Sequence, residues 1–211
     1  MLKPHLKDLP IGSLIRAGLV DGAVIRDLHA QKPDLAEAKA KNVLFEHVKI
    51  TKGTFLNADL ASAHFANAVF EDCEMSAMLT PKASVQRTEF KSCRLMGWQV
   101  GEAFIEDVLF EDCKLDLANF RFCTFKDVVF KNCMLKGADF QGASFTKATM
   151  QGCDLAGAEF RQCSVKILDL RTSSIADIRY VEGLKGATID PTQLMDIAPQ
   201  LANIAGLDVD Y

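Results

Sequence analysis

The large apolar residues of this chain return at every fifth position over most of its length. From Phe45 to Ile175 every residue whose number is divisible by five is large and apolar, with Thr80 the one exception. Twelve of the 14 Phe lie in this column. Two positions before each member stands a small or apolar residue, as at Val43, Ala58, Ala63, Ala68, Cys73, Ala103, Cys113, Ala118, Ala138, Ala143 and Ala158, and all seven Cys share this second column. A period of five fits neither a helix, at 3.6 residues per turn, nor a flat strand, at 2. The chain must therefore turn every five residues so that the large residue always points inward.

Four such turns close a square coil of about twenty residues. That longer period is visible independently, because Cys73, Cys93, Cys113, Cys133 and Cys153 recur at it and should stack on one face. Within this register Asn57-Ala58-Asp59-Leu60, Gly137-Ala138-Asp139-Phe140 and Ala156-Gly157-Ala158-Glu159-Phe160 resemble the A(D/N)LXX motif of the pentapeptide-repeat proteins. The resemblance covers about residues 43 to 178. It implies an all-β solenoid, the right-handed quadrilateral β-helix of that family. From Phe45 to Tyr180 the pattern makes about 28 repeats, or about seven coils, and at ~4.8 Å per coil a tower roughly 34 Å tall. Phe and Leu should fill its interior and leave no lumen.

The ends break the pattern. Residues 1–40 read as an N-terminal cap with an irregular first coil, although Ala23-Val24-Ile25 falls in register; Pro4, Pro10 and Pro33 argue against a long helix there. The repeat region is assigned to 41–182 and a C-terminal cap helix and tail to 183–211. The register slips after Tyr180 to Leu184 and Ile189. Asp190-Pro191 then supplies an N-cap and first-turn proline, Leu194, Ile197, Leu201 and Ile204 follow at helical spacing, and Gly206 provides a stop. Pro199 should kink or split that helix. Its apolar stripe is the candidate surface for covering the last coil, and for a homodimer of the kind several family members form at this terminus.

Charge and chemistry narrow the function. The net charge is -4, mildly acidic, whereas a nucleic-acid binder needs a basic stripe. No apolar run approaches a membrane span, and the first 22 residues lack the core of a secretory signal, so a cytoplasmic protein is expected. A linear stack of thiols cannot converge on a tetrahedral metal, so the cysteines read as small buried hydrophobes. The four His, a missing phosphate loop and the absence of HExxH give no catalytic constellation, and no metal or other cofactor is implied.

Met78 and Trp98 stand where the pattern carries Ala or Cys, twenty residues apart, and should share the extra volume of one widened corner. Phe104 and Phe122 are the Phe outside the inward column. They should meet near one corner, with Leu109 and Val129 stacked on the neighbouring face, as a candidate partner patch.

The leading expectation is a non-enzymatic scaffold presenting flat β faces to a protein partner whose identity the sequence does not give. The alternative comes from the resemblance, since the quinolone-resistance members of the family imitate duplex DNA and occupy the DNA site of gyrase. Against it, residues 41–180 carry 17 Lys plus Arg and 18 Asp plus Glu, and the outward charges alternate in sign from coil to coil. Glu71, Asp72 and Glu74 are followed by Lys91 and Arg94, then Glu111, Asp112 and Asp116, then Lys131 and Lys136. In its favour, Glu182, Asp190, Asp196, Asp208 and Asp210 face a single Lys185 after the repeats.

Overall fold

Twenty residues make one turn of the chain, and each turn lies in register on the one before. In the computed structural model, residues 1–6 and 9–208 are described. Eight-residue strands β2 (Val24–Gln31), β3 (Leu44–Thr51), β4 (His64–Glu71), β5 (Ser84–Lys91), β6 (Phe104–Glu111), β7 (Thr124–Lys131) and β8 (Ser144–Gln151) stack in parallel, each pairing with the strand twenty residues later. Each strand bends in its middle and so supplies two faces. Parallel bridges such as Thr54↔Glu74 and Asp59↔Leu79 supply the other two. The result is a four-sided solenoid of about 8 turns. A short strand β1 (Ile11–Gly12) pairs with β2 at one end, and β9 (Ser164–Val165) and β10 (Leu168–Asp169) finish the sheet at the other.

The corners explain why the period is five. Every residue numbered with a final 2 or 7 from Gly22 to Gly142 has φ between +45° and +71°. That left-handed conformation is tolerated best by Gly, Asn and Asp, which hold many of these positions. Where the third face ends, Ala58 N–H bonds to Phe55 O at 3.0 Å, and where the fourth ends, Ala63 N–H bonds to Leu60 O at 3.1 Å. With the positive φ at Asn57 and Ser62, both are type II turns. The residue after each corner points inward beside the next large one, which is why the second column favours small side chains.

Inside, like stacks on like. Phe70, Phe90, Phe110 and Phe130 form one column of parallel rings with centroids 4.8–5.1 Å apart. Phe120, Phe140 and Phe160 form another at 5.1 Å. From Val43 to Leu155 the inward side chains are all but inaccessible to solvent.

Two features depart from the sequence reading. The turns number about 8 and not about seven, because the coil from Val24, placed by the sequence reading within residues 1–40 as an irregular first coil, pairs in regular register with the next. Its register was masked because Ala30 and Ala40 occupy the large column while Leu28 occupies the small one. The helix α1 (Pro191–Ile204) runs through Pro199 without being split. The carbonyl deprived of a partner there belongs to Met195, a residue 73% exposed, where water can take the place of the missing N–H.

The C-terminal end closes the core by hydrogen bonding. Asp190 and Gln193 form a reciprocal capping box at the start of α1. The same Gln193 amide donates to Leu170 O at 2.7 Å and Ser173 O at 2.6 Å, and Gln200 donates to Ile178 O at 3.0 Å. Carbonyls that an open last coil would leave bare are thereby satisfied. Beyond α1, Leu207 N–H reaches Ala202 O and Gly206 N–H reaches Asn203 O, the double bond of a Schellman stop. A backbone turn at 181–184 fits against Phe160 only because Gly183 has no Cβ, which would sit 1.6 Å from Phe160 O.

Candidate interaction surfaces

The outward positions carry charges that are matched between coils. Arg26 and Glu46 pair at 3.0 Å, Lys49 and Glu71 at 2.8 Å, Glu111 and Lys131 at 2.6 Å, Asp127 and Lys147 at 2.7 Å, and Glu159 and Arg179 at 3.0 Å. Glu106 and Lys126 pair in the same way. The Lys131 ammonium holds the Glu111 carboxyl below its ordinary range, and Lys49 and Lys147 do the same for Glu71 and Asp127. One coil thus neutralises the next, and no strip of like charge develops along these pairs. Lys91, expected to join this alternation, instead turns to Glu89 on its own strand at 2.6 Å.

The candidate partner patch resolves into two pairs. Phe122 projects at the corner between the fourth and first faces and is 56% exposed; Phe104 begins the first face and is 37% exposed. The Phe122 ring lies over Gly142, where a Cβ would come within 2.5 Å of it. Beside it, Pro81 and Gly101 leave a shallow hollow rimmed by Gln99, Asn119, Arg121 and Phe122. Leu109 and Val129 are paired in register on the second face and half-buried. A charged corner holding Asp107 and Asp127 separates the two pairs.

Residues at the two ends of the N-terminal segment also contact the second face or its corner, which the sequence reading missed. β1 pairs with His29 and Ala30 of β2, and Pro10 O accepts from His29 N–H at 2.8 Å. Four coils further on, Leu2 N–H donates to Asp107 Oδ1 at 2.6 Å, and Met1 lines a hollow with Asp127, Val129, Lys147 and Thr149. Ten residues without apolar periodicity gave no sign of this.

On the candidate cap and dimer surface the four residues divide. Ile197 is buried at 4%, whereas Leu194, Leu201 and Ile204 are 47%, 38% and 56% exposed. The contact with the last coil is made by Ile197 and by the amides of Gln193 and Gln200, residues that pass in a sequence for ordinary surface polar groups.

Trp98 points inward. It is fully buried, and its indole N–H donates to Thr80 Oγ1 at 2.8 Å. The hydroxyl is the reason the large column is interrupted at residue 80, and Thr80 and Val100 together leave the room the indole occupies. The cysteine ladder is equally internal. Cys93, Cys113 and Cys133 each donate to a carbonyl of the preceding coil at 3.3–3.4 Å, and Ser173 ends the ladder with the same bond to Met150 O. Bonding along the ladder, together with burial, holds the Cys73, Cys93, Cys113 and Cys153 thiols well above the usual range. Among the described residues no three His, Cys, Asp or Glu side chains converge in a metal-holding group, and no helix is long and apolar enough to cross a membrane.

Family profiles bear directly on this architecture. One described as "Pentapeptide repeat region" matches residues 42–120 and 63–140, and one described as "Pentapeptide repeats (8 copies)" matches 123–162. The chain belongs to the pentapeptide-repeat family. Among solved structures it is similar to QnrB1, a plasmid-mediated fluoroquinolone resistance protein, at 19% identity and a TM-score of 0.44, over 96% of this chain and 100% of that one. It is also similar to HetL, a pentapeptide-repeat protein involved in heterocyst differentiation regulation from the cyanobacterium Nostoc, at 16% identity and a TM-score of 0.45, over 83% and 84% of the two chains. No curated protein matches it at a significant level.

In pentapeptide-repeat terms, the departures from the consensus in this chain are of two kinds. Thr80, Trp98 and the cysteine ladder are solved within the core and reach no solvent. Phe122, Leu109, Val129, the N-terminal segment and the exposed flank of α1 lie on the outside, where a partner can touch them.

Proposed function

We propose that this protein is a non-enzymatic interaction scaffold that offers flat β faces to a protein partner. The observation that carries the reading is a solid core beneath a charge-matched surface. Inward positions are filled by stacked Phe and Leu, the hollows among the described residues are open and shallow, and the enclosed titratable groups, the thiols of the cysteine ladder, are sealed from any substrate. Such a tower has rigid backbone planes and exposed side chains to offer, and little else. Phe122 and Phe104 at one corner are its most prominent apolar features and the first choice for the contact. Chain immobilised as an intact tower should retain a binding protein that is lost when Phe104 and Phe122 are both replaced by Glu, with the melting temperature unchanged. Retention by both forms, or turnover of a small substrate by the purified chain, would overturn the reading.

A second reading is favoured by the C-terminal segment, where Glu182, Asp190, Asp196 and Asp208 oppose Lys185 and where Leu194, Leu201 and Ile204 are exposed. If two copies met through α1, an acidic belt would form midway along a double-length rod, a shape suited to the DNA site of gyrase. Supercoiling by gyrase, with and without a quinolone, tests it. Inhibition or drug relief at micromolar protein supports the topoisomerase reading; no effect in either condition removes it.

A further inference from the structure

Along one column of the third face the matching of charge between coils fails. Its outward residues run Glu74, Arg94, Lys114 and Met134, and the parallel bridges between them set each upon the next at ~4.8 Å. Arg94 and Lys114 are therefore like charges directly opposed, an arrangement that costs stability. The lysines around them are neutralised, Lys91 by Glu89 at 2.6 Å, Lys131 by Glu111 at 2.6 Å and Lys136 by Asp154 at 3.1 Å. Arg94 and Lys114 are exposed, and among the described residues neither has an ion pair. The carboxylates of the same face are turned elsewhere. Glu74 Oε1 accepts from Ser76 N–H at 2.9 Å, and Asp116 Oδ1 accepts from Lys136 N–H at 3.0 Å.

Beside this pair the corner leading to the fourth face is bare and its rim is apolar. Ala77 and Gly97 hold that corner in successive coils, and a Cβ at Gly97 would meet nothing within 4 Å. Met96 flanks the notch on the third face and Leu79 flanks it on the fourth, 43% and 38% exposed. Leu117 stands at the same corner one coil further on, 66% exposed. It leans away over Gly137, where a Cβ would come within 2.9 Å of it, and so bounds the notch without filling it. Met78 and Trp98, next in sequence to Ala77 and Gly97, are already fully buried, so the outer apolar residues have no core to seal.

We propose that this corner, from Arg94 and Lys114 across to Leu79, is a docking site for an acidic segment of a partner protein, one whose carboxylates are interspersed with large apolar residues. Charge complementarity selects the occupant. Carboxylates brought to the two cations would relieve the repulsion between them and form charge-assisted hydrogen bonds. The notch accepts an apolar side chain, and the flexible thioether of Met96 adapts to its shape. The inference rests on the scaffold reading and gives that scaffold a second surface, on the opposite edge of the fourth face from Phe122, with one class of ligand.

The test uses the full-length chain and two short fluorescein-labelled peptides, one alternating glutamate with leucine and one alternating glutamine with leucine, read by fluorescence anisotropy. The wild-type chain should bind the glutamate peptide, less tightly as salt is raised, and the glutamine peptide at least about tenfold more weakly. Lys114→Glu replaces a like pair by an opposite one. It should weaken binding of the glutamate peptide at least about tenfold while raising Tm, a combination that a merely structural role would not produce. Met96→Ser should also weaken binding, with Tm unchanged. Equal binding of the two peptides, binding of neither, or binding that survives Lys114→Glu or Met96→Ser would each overturn the proposal, as would a loss of binding that comes only with a lower Tm. A wild-type oligomer that Lys114→Glu dissociates would overturn it too, by making a second copy the occupant. A chain that retains a protein partner through Phe104 and Phe122 but fails these measurements remains a scaffold without this site.

Discussion

Replacing Thr80 by Val tests a bond between two buried side chains that belong to different coils. The substitution keeps the side-chain shape and removes the hydroxyl that accepts from Trp98 Nε1 at 2.8 Å. Both residues are 0% exposed, so the orphaned indole N–H has no water to turn to. The cost of such a group is about 1–3 kcal/mol. In a chain of this size that corresponds to a fall in Tm of roughly 3–10 °C. The decisive comparison is with Trp98→Phe. That change has its own packing cost but needs no acceptor, and it leaves the Thr80 hydroxyl as the unpaired group. In that background Thr80→Val should be neutral or stabilising, giving a coupling energy of at least about 1 kcal/mol between the two sites. Thermal melts followed by circular dichroism of the four chains measure it. An equal effect of Thr80→Val with and without the indole would refute the claim that the Thr is there for the Trp.

Other outcomes follow from the same architecture. Ala138→Leu should overfill its corner and destabilise by about 1–3 kcal/mol; an unchanged Tm would refute its inward placement. Glu71, Glu111, Asp127 and Asp169 are held below their ordinary pKa by Lys49, Lys131, Lys147 and Arg171. Their contribution is therefore complete above the ordinary carboxylate range and is lost as pH falls through the lowered values. Tm should hold between about pH 7 and 5 and drop below about pH 4, less steeply in high salt; a Tm that rises on acidification would contradict the pairing. Burial pushes Cys123 and Cys163 up to about 12, and Cys163 is the one thiol with appreciable exposure. A thiol reagent near pH 8 should label no more than Cys163 in the folded chain and all 7 cysteines in guanidinium. Several labelled thiols in the native state would mean that the ladder is not internal.

The repeat region was legible because its rule is local: five residues, one large apolar position, one small one, and a corner that accepts Asn, Asp or Gly. Where that rule is kept by unusual residues it was harder to read. The coil from Val24 looked irregular because Ala30 and Ala40 stand in the large column, and the reason for Thr80 appears only when Trp98, eighteen residues away, is seen to reach it. The closure of the last coil was half-legible. Asp190-Pro191 announces a helix start, but the sealing bonds come from Gln193 and Gln200, whose amides look the same in a sequence whether they face water or a row of bare carbonyls. The contacts of Leu2 with Asp107 and of Pro10 with His29 had no signal at all, since no apolar periodicity marks the residues that make them.

The contact of Phe122 with Gly142 bears on how this tower could lengthen or shorten in evolution. Strands and inward columns are nearly interchangeable from coil to coil, so a twenty-residue duplication inside the array would preserve them. The corner is different. The ring of one coil occupies the space where the next coil's Cβ would sit, and the two positions make sense only as neighbours. A crossover falling between residues 122 and 142 would seat the ring on whatever corner residue arrived with the new coil, and most would collide with it. The Phe122–Gly142 pair acts as a stitch that fixes the order of these two coils within an otherwise shuffleable stack.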